Sequence, residues 1–260
     1  MAVVRIDGVI TEGGMPTFWS EGSGAGKSLA ELAAVRRDRR VRAVVVRLNS
    51  PGGSAAAAQE IASGIAEVRA TGRTVVASMG DVATSGAYWI ACAADRIVAD
   101  PATVTGSIGV ITRVPQLSSL YRRMGVQEEV FKSGRYKDMG SPGRAPTSEE
   151  RLLFAAMVGD VYGQFVDLVA QARHMPPETV RGLADGRIYT GRQAVRCGLV
   201  DSLGGLDDAV RLAGVLAGVK GEPRVVGVRA GGWWPRPGSP RDGPGERGGR
   251  LPGGVVMQLV

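Results

Sequence analysis

The chain is poor in the groups that most often carry enzyme chemistry. Among 260 residues there are two cysteines, Cys92 and Cys197, and one histidine, His174. Two cysteines cannot staple a fold of this size, and they cannot supply a thiolate zinc site or an iron–sulfur cluster. A serine or cysteine hydrolase with an imidazole base would have to use His174 or none. Aromatic residues make up only 5%. No apolar run reaches the ~18–20 residues of a membrane span. The opening Met1-Ala-Val-Val-Arg-Ile-Asp-Gly lacks the basic start, long apolar stretch and small-residue cleavage site of a signal peptide, so the chain as it stands reads as soluble. Lysine is scarce too: Lys27, Lys132, Lys137 and Lys220 are the only four, against an arginine-rich background.

What remains is the composition of a globular domain, 44% hydrophobic and 22% charged, in a length that suits one large domain or two small ones. The net charge of +7 is spread along the chain. Its densest cluster, Arg36-Arg37-Asp38-Arg39-Arg40, stands before a strand and reads as a solvated turn. No aromatic residues interleave with it for base stacking, and no nucleic-acid partner is expected.

Elements alternate along the chain. Ala2–Ile6 reads as a strand, Leu29–Val35 as a helix and the β-branched Ala43–Leu48 as a buried strand ending in the turn Asn49-Ser-Pro-Gly-Gly53. Ser54 can cap an Ala-rich helix to about Arg69. Thr74–Met79 is the next strand, Gly80–Thr84 a loop, Ser85–Ala94 a short helix and Arg96–Ala99 a strand. This succession predicts an α/β fold with a mainly parallel sheet flanked by helices. Further on, Val126–Lys132 reads as a strand, Ser133–Pro146 as a polar loop and Thr147 to Arg173 as a long helix with acidic residues in its first turn. That helix carries apolar residues on more than one face, so a neighbouring subunit is expected to cover the excess. Two regions are expected: a folded domain over 1–229 and a tail over 230–260, whose stretch 230–254 holds nine Gly and five Pro and reads as disordered.

Several constellations could carry chemistry. Gly22-Ser-Gly-Ala-Gly26-Lys27-Ser28 imitates a phosphate loop, but Glu21 stands where its first glycine belongs and no hydrophobic strand precedes it. It reads as a flexible surface loop. Cys92, Cys197 and His174 read as structural or surface residues. Ser85 stands between a strand and a helix, where free backbone N–H groups and the helix dipole converge. It could be a plain N-cap. A second glycine-rich loop, Asn49–Gly53, also follows a buried strand, and the two can meet at the strand C-terminal ends as nucleophile and oxyanion hole. The Gly86 N–H is placed to join that hole. With no histidine at hand, the base would be a lysine made neutral by its surroundings. Lys137 lies in a loop where an arginine, always protonated, could not replace it. Val82, Ile108 and Val110 flank these motifs, as specificity-pocket walls or as core.

The motifs Pro51-Gly-Gly, Thr84-Ser-Gly-Ala-Tyr-Trp-Ile-Ala, Thr105-Gly-Ser-Ile-Gly-Val, Ser133-Gly-Arg-Tyr-Lys-Asp and Gly198-Leu-Val-Asp-Ser-Leu-Gly-Gly resemble, in order and spacing, those of the signal peptide peptidase A serine proteases. The resemblance runs from about Val3 to Leu212. It implies a Clp-protease/crotonase-like fold and a Ser-Lys dyad without cofactor or metal. Ser85 would be the nucleophile, Lys137 the general base, Ser107 the hydroxyl that orients the lysine and Gly52 an oxyanion donor. The substrates would be cleaved signal peptides and other apolar, unfolded segments, and the subunits would form a homo-oligomeric ring, the dyad completed across subunits in the short form. Members usually carry an N-terminal membrane anchor. Membrane association is therefore expected only through a segment absent from this chain, and its localisation stays open. Thr84 and Trp89 replace residues that are more often Ala and Tyr. Two rivals remain: a crotonase-like acyl-CoA enzyme on the same superfold, and a non-catalytic scaffold of membrane quality control.

Overall fold

The computed structural model describes residues 1–12, 24–227 and 258–259. Its centre is a sheet built on two long β-branched strands, β2 (Ala43–Ser50) and β4 (Thr74–Thr84). β1 (Ala2–Asp7) pairs in parallel with β2, and β2 in parallel with β4. β4 divides its far edge between two partners. Val76–Met79 pairs with β5 (Arg96–Ala99), and Val82–Thr84 with β6 (Val104–Gly106), both in parallel. The short β7 (Ile188–Thr190) is the one antiparallel addition, on β6, while β8 (Ser202–Leu203) and β9 (Val226–Gly227) extend the sheet at β5 and β1. The expected α/β fold with a mainly parallel sheet is what the chain adopts.

Alternation along β2 divides the core between two layers. Val44, Val46 and Leu48 face α1 (Ala25–Arg37), α2 (Ala55–Ala70) and α3 (Gly86–Ala91); Ala43 and Val45 face α8 (Leu206–Leu216) through Ala209 and Ala213. The helices start where the local chemistry allows. Ser54 accepts from Ala57 N–H to cap α2, and Thr147 and Glu150 form a reciprocal capping box on α5 (Ser148–Arg173). α6 (Pro177–Leu183) begins with proline, and α7 (Gly191–Arg196) has a second capping box from Thr190 and Gln193.

Two sequence expectations are corrected. The strand of Thr74 does not end at Met79 but continues to Thr84, because β6 offers a second ladder to its far half. Val126–Lys132 forms no ladder among the described residues. A β-branched run becomes a strand only where another edge supplies N–H and C=O groups, and here Phe131 stays 87% exposed. It belongs to an arm of residues 112–147 whose one helix, α4 (Ser118–Arg123), buries none of its residues. By length and composition α5 is long and apolar enough to cross a membrane, although no uninterrupted apolar run marks it in the sequence. Its second half is core: Phe165, Val166 and Val169 are fully buried, Phe165 stacks on Trp89 at 4.9 Å, and Arg173 ties its end to Asp201. Its first half, with Leu152 70% exposed, continues the arm. Most of the expected tail lies outside the described residues. Of it, Gln258–Leu259 form β10, antiparallel to the two-residue β3 (Gly53–Ser54).

Candidate active site

The carboxy-terminal ends of β2 and β4 deliver two loops to one place, as parallel sheets do. The register between them shifts after Leu48–Met79, so that Ser50 comes opposite Ala83. This slip lets the turn Pro51–Gly53 fold back over the end of β4. Thr84 Oγ1 donates to Pro51 O at 3.0 Å, and Asn49 Oδ1 accepts from Val82 N–H at 3.1 Å, fixing one loop to the other. Thr84 therefore has a tethering role that an alanine could not fill. On its other side β3 lies against Ile10, whose carbonyl accepts from Ser54 N–H at 2.8 Å. A Cβ on Gly53 would fall 2.1 Å from that same oxygen, so only glycine fits.

Ser85 follows Thr84 with φ 55° and ψ −118°. A non-glycine residue held there stores strain of roughly 1–3 kcal/mol, which the surroundings must sustain. They do so by locking the backbone on both sides: Ser85 N–H donates to Gly106 O at 2.8 Å, and Ser85 O accepts from Trp89 N–H at 2.9 Å as α3 begins. The side chain is fully buried, and Ser85 Oγ, like Ser28 Oγ and Thr112 Oγ1, has no hydrogen-bond partner among the described residues; of the three only Ser85 has a positive φ. It does not cap α3. A buried hydroxyl left unpaired on a strained backbone signals use rather than structure.

The backbone donors stand close by. A Cβ on Gly86 would lie 3.4 Å from Gly53 N and 3.5 Å from Gly52 Cα, so the start of α3 and the glycine turn touch. The Gly52 N–H donates to Ser50 Oγ at 3.1 Å, which leaves Gly53 as the turn's donor nearest Gly86. Ser50 is a fully buried hydroxyl that sequence reasoning missed, and its place beside the Pro-Gly-Gly turn was the available signal. Ser107, the next residue after the carbonyl that holds Ser85, has φ 49° and donates its N–H to Arg187 O at 2.8 Å. Ile108 is core, fully buried, whereas Val82 and Val110 are half-buried.

Within one chain Lys137 makes no hydrogen bond to Ser85. It is exposed on the arm, and its side chain has no hydrogen bond or ion pair among the described residues. The arm around it is nonetheless ordered by a charge clamp that the sequence reading missed. Arg144 grips Asp138 through Nε and Nη2 at 2.8 and 2.9 Å and reaches the buried Glu150 at 2.7 Å through Nη1. Lys132 Nζ meets Asp138 at 2.7 Å. Arg144 holds the Glu150 carboxyl down at about 2, helped by the Thr147 N–H, and Arg144 and Lys132 hold Asp138 well below the usual carboxylate range. The Thr-x-x-Glu spacing at 147–150 was the legible part of this clamp.

The remaining reactive groups stay apart from the site. Burial raises the Cys92 thiol to about 12, as for an inert core residue. His174 is an exposed left-handed cap on α5, and Lys27 is exposed on α1. No group of histidine, cysteine, aspartate and glutamate suited to a metal ion occurs among the described residues.

A strained, buried serine at a strand–helix junction, flanked by glycine N–H groups, defines the class: a nucleophilic-serine hydrolase on a parallel α/β frame. Residues 67–220 match the model of Peptidase family S49. Protease 4 of Salmonella typhi is 38% identical over 221 residues, 85% of this chain and 35% of that one. The chloroplastic serine protease SPPA of Arabidopsis thaliana is 36% identical over 215 residues, 82% of this chain and 32% of that one. A chain of Synechocystis sp. named as a protease is 41% identical over 197 residues, 76% of this chain and 71% of that one. The chain belongs to peptidase family S49, the serine peptidases of the signal peptide peptidase A type. It spans only about a third of the Salmonella and Arabidopsis proteins. The fold is the Clp-protease type: a ClpP1 point mutant from Listeria monocytogenes superposes with a TM-score of 0.51 over 80% of this chain and 93% of that one, at 16% identity.

Proposed function

We propose that the chain acts as an ATP-independent serine endopeptidase on cleaved signal peptides and other apolar, unfolded segments, through a Ser85–Lys137 dyad shared between neighbouring subunits of a ring. One observation carries this reading. Ser85 Oγ is buried without a partner, and Lys137 stands exposed on an arm without one. Each group lacks what the other would supply. The arm and the first half of α5 also expose Phe131, Met124, Leu152 and Leu153, an apolar surface that a second copy would cover.

In the joined site neutral Lys137 Nζ takes the proton of Ser85 Oγ as that oxygen attacks the scissile carbonyl carbon. The oxyanion receives N–H groups from Gly86 and from the Gly52–Gly53 turn, with Gly53 the nearer donor because the Gly52 N–H is engaged by Ser50. Ser107 orients the lysine. The Lys137 ammonium then returns its proton to the leaving amine, and a water deprotonated by Lys137 hydrolyses the ester. The substrate lies as an added strand on β3, the edge that Gln258–Leu259 occupy in antiparallel register. Strand addition binds through main-chain groups and so tolerates many sequences.

The test is complementation. Ser85→Ala and Lys137→Ala proteins, each inactive alone, are mixed under conditions of demonstrated subunit exchange, and recovered cleavage of an apolar peptide is the expected result. No recovery places the dyad within one chain. Lys137→Arg should be as inactive as Lys137→Ala, because an arginine cannot accept the proton; an arginine variant with wild-type turnover would remove lysine as the base.

A further inference from the structure

The strands that deliver Ser85 at one end of the sheet begin at the other, and that end carries a feature the peptidase chemistry does not use. There α1 finishes at Arg37, α8 finishes at Leu216, and β2 and β4 start at Ala43 and Thr74. Between them is an open concavity of about 550 Å³ lined by Arg36, Arg37, Arg39, Arg42 and Arg73 together with Leu216. Among the described residues Arg36 is paired with the carboxylate of Glu67, and the Asp38 carboxylate, paired with Arg40, also acts electrostatically on Arg73. Arg42 and Arg73 donate to backbone carbonyls, Ala217 O at 2.7 Å and Val41 O at 2.9 Å. These bonds fix the guanidinium planes without neutralising them. Arg37 and Arg39 are exposed and have no side-chain partner among the described residues. The cluster that reads in sequence as a solvated turn is thus joined, from distant parts of the chain, by Arg42 and Arg73.

An arginine surface with this excess of positive charge calls for an anionic partner with several phosphates. Two further observations choose among such partners. None of the lining residues is aromatic, so bases have nothing to stack on. Beside the arginines, the end of α8 leaves Val215 75% and Leu216 44% exposed. Basic side chains around an exposed apolar pair match the interface of an anionic bilayer, where the charges meet headgroups and the apolar groups enter below them. We propose that this end of the molecule docks on an anionic phospholipid surface, with Arg37, Arg39, Arg42 and Arg73 on headgroup phosphates and Val215 and Leu216 in the interfacial layer. Ser85 then stands roughly 30 Å above the bilayer at about 3.3 Å per strand residue, on the far end of the sheet.

The test is flotation of the full chain with vesicles of phosphatidylcholine alone and of phosphatidylcholine with 40% phosphatidylglycerol, at low and high salt. The expected result is binding to the phosphatidylglycerol vesicles only, weakening as salt rises. Arg37→Gln with Arg39→Gln should lower the affinity roughly 30-fold, at about fivefold per basic residue. Because neither side chain has a partner to lose, the variant should keep the wild-type melting temperature and peptide turnover, so vesicle binding is read independently of the proposed catalysis. Equal binding to neutral vesicles, or an unchanged affinity in the double variant, overturns the proposal. Displacement by millimolar inorganic phosphate at constant ionic strength would make this a free-phosphate site, and tighter binding of a single-stranded oligonucleotide than of the vesicles would make it a nucleic-acid site; either result also overturns it.

Discussion

Ser85 combines two unfavourable choices, a left-handed backbone and a buried hydroxyl without a partner. Neither benefits the folded chain. An unpaired buried polar group costs on the order of 1–3 kcal/mol, and the backbone strain adds to it. The neighbouring Thr84 and Gly53 point the same way, since one is tethered to Pro51 and the other pressed on Ile10 so that the two loops meet. Ser85→Ala is therefore expected to lower peptide turnover by at least ~10³-fold and to abolish labelling by a fluorophosphonate. Its melting temperature should be no lower than that of wild type, because the lost hydroxyl supports no core. A substantial fall in melting temperature would make Ser85 a structural residue, and retained turnover would move the nucleophile elsewhere.

At the scale of elements, α5 serves two environments. Its second half fills the core with Phe165, Val166 and Val169, and large side chains buried in this way contribute about 1.5–3 kcal/mol each. Its first half carries the arm that presents Lys137, and there the clamp of Arg144 on Asp138 and Glu150 substitutes for hydrophobic packing. That exchange makes the arm sensitive to acid. The Glu150 carboxyl sits at about 2 in the fold, below its ordinary 4.5. A lowered carboxylate pKa stabilises fully above the unfolded value, and the contribution is lost as pH falls through the folded one. Hydrogen-exchange protection over residues 132–150 should hold down to about pH 4.5 and fall between there and pH 2, ahead of the strands of the sheet. In Arg144→Met it should already be low at neutral pH. Equal protection of wild type at pH 2.5 and pH 7 would show that the clamp does not hold the arm.

At the scale of the whole molecule, the chain's own end lies on the site. Gln258 and Leu259 pair with Ser54 and Gly53, the edge on which the substrate strand is proposed to lie. A tethered strand competes with a free peptide at an effective concentration set by the chain that links it to the body. Deleting residues 255–260 should therefore lower the KM for an apolar peptide with little change in kcat and no large change in melting temperature. An unchanged KM would mean that the terminal strand does not occupy the cleft in solution.

The β-branched runs 43–48 and 74–79, the capped starts of α2 and α5, and the motifs around Ser85 and Lys137 were legible in the sequence. All depend on the chemistry of a few adjacent residues: side-chain period, turn glycines and capping hydroxyls. The continuation of β4 to Thr84 was not, because it requires β6, twenty residues further on, to offer a ladder. The same cause, with opposite outcome, leaves 126–132 outside the sheet. The family resemblance matched Gly52 to the oxyanion donor; only the fold engages its N–H with Ser50 and sets Gly53 beside Gly86. The gathering of Arg37, Arg39, Arg42 and Arg73 at one end, and the lack of a hydrogen bond between Lys137 and Ser85, likewise appear only once distant segments are packed. Sequence determined the residues and local elements. Long-range pairing determined which backbone groups remained free, which hydroxyls were left unpaired and where positive charge gathered in excess, because each depends on what the rest of the chain brings alongside.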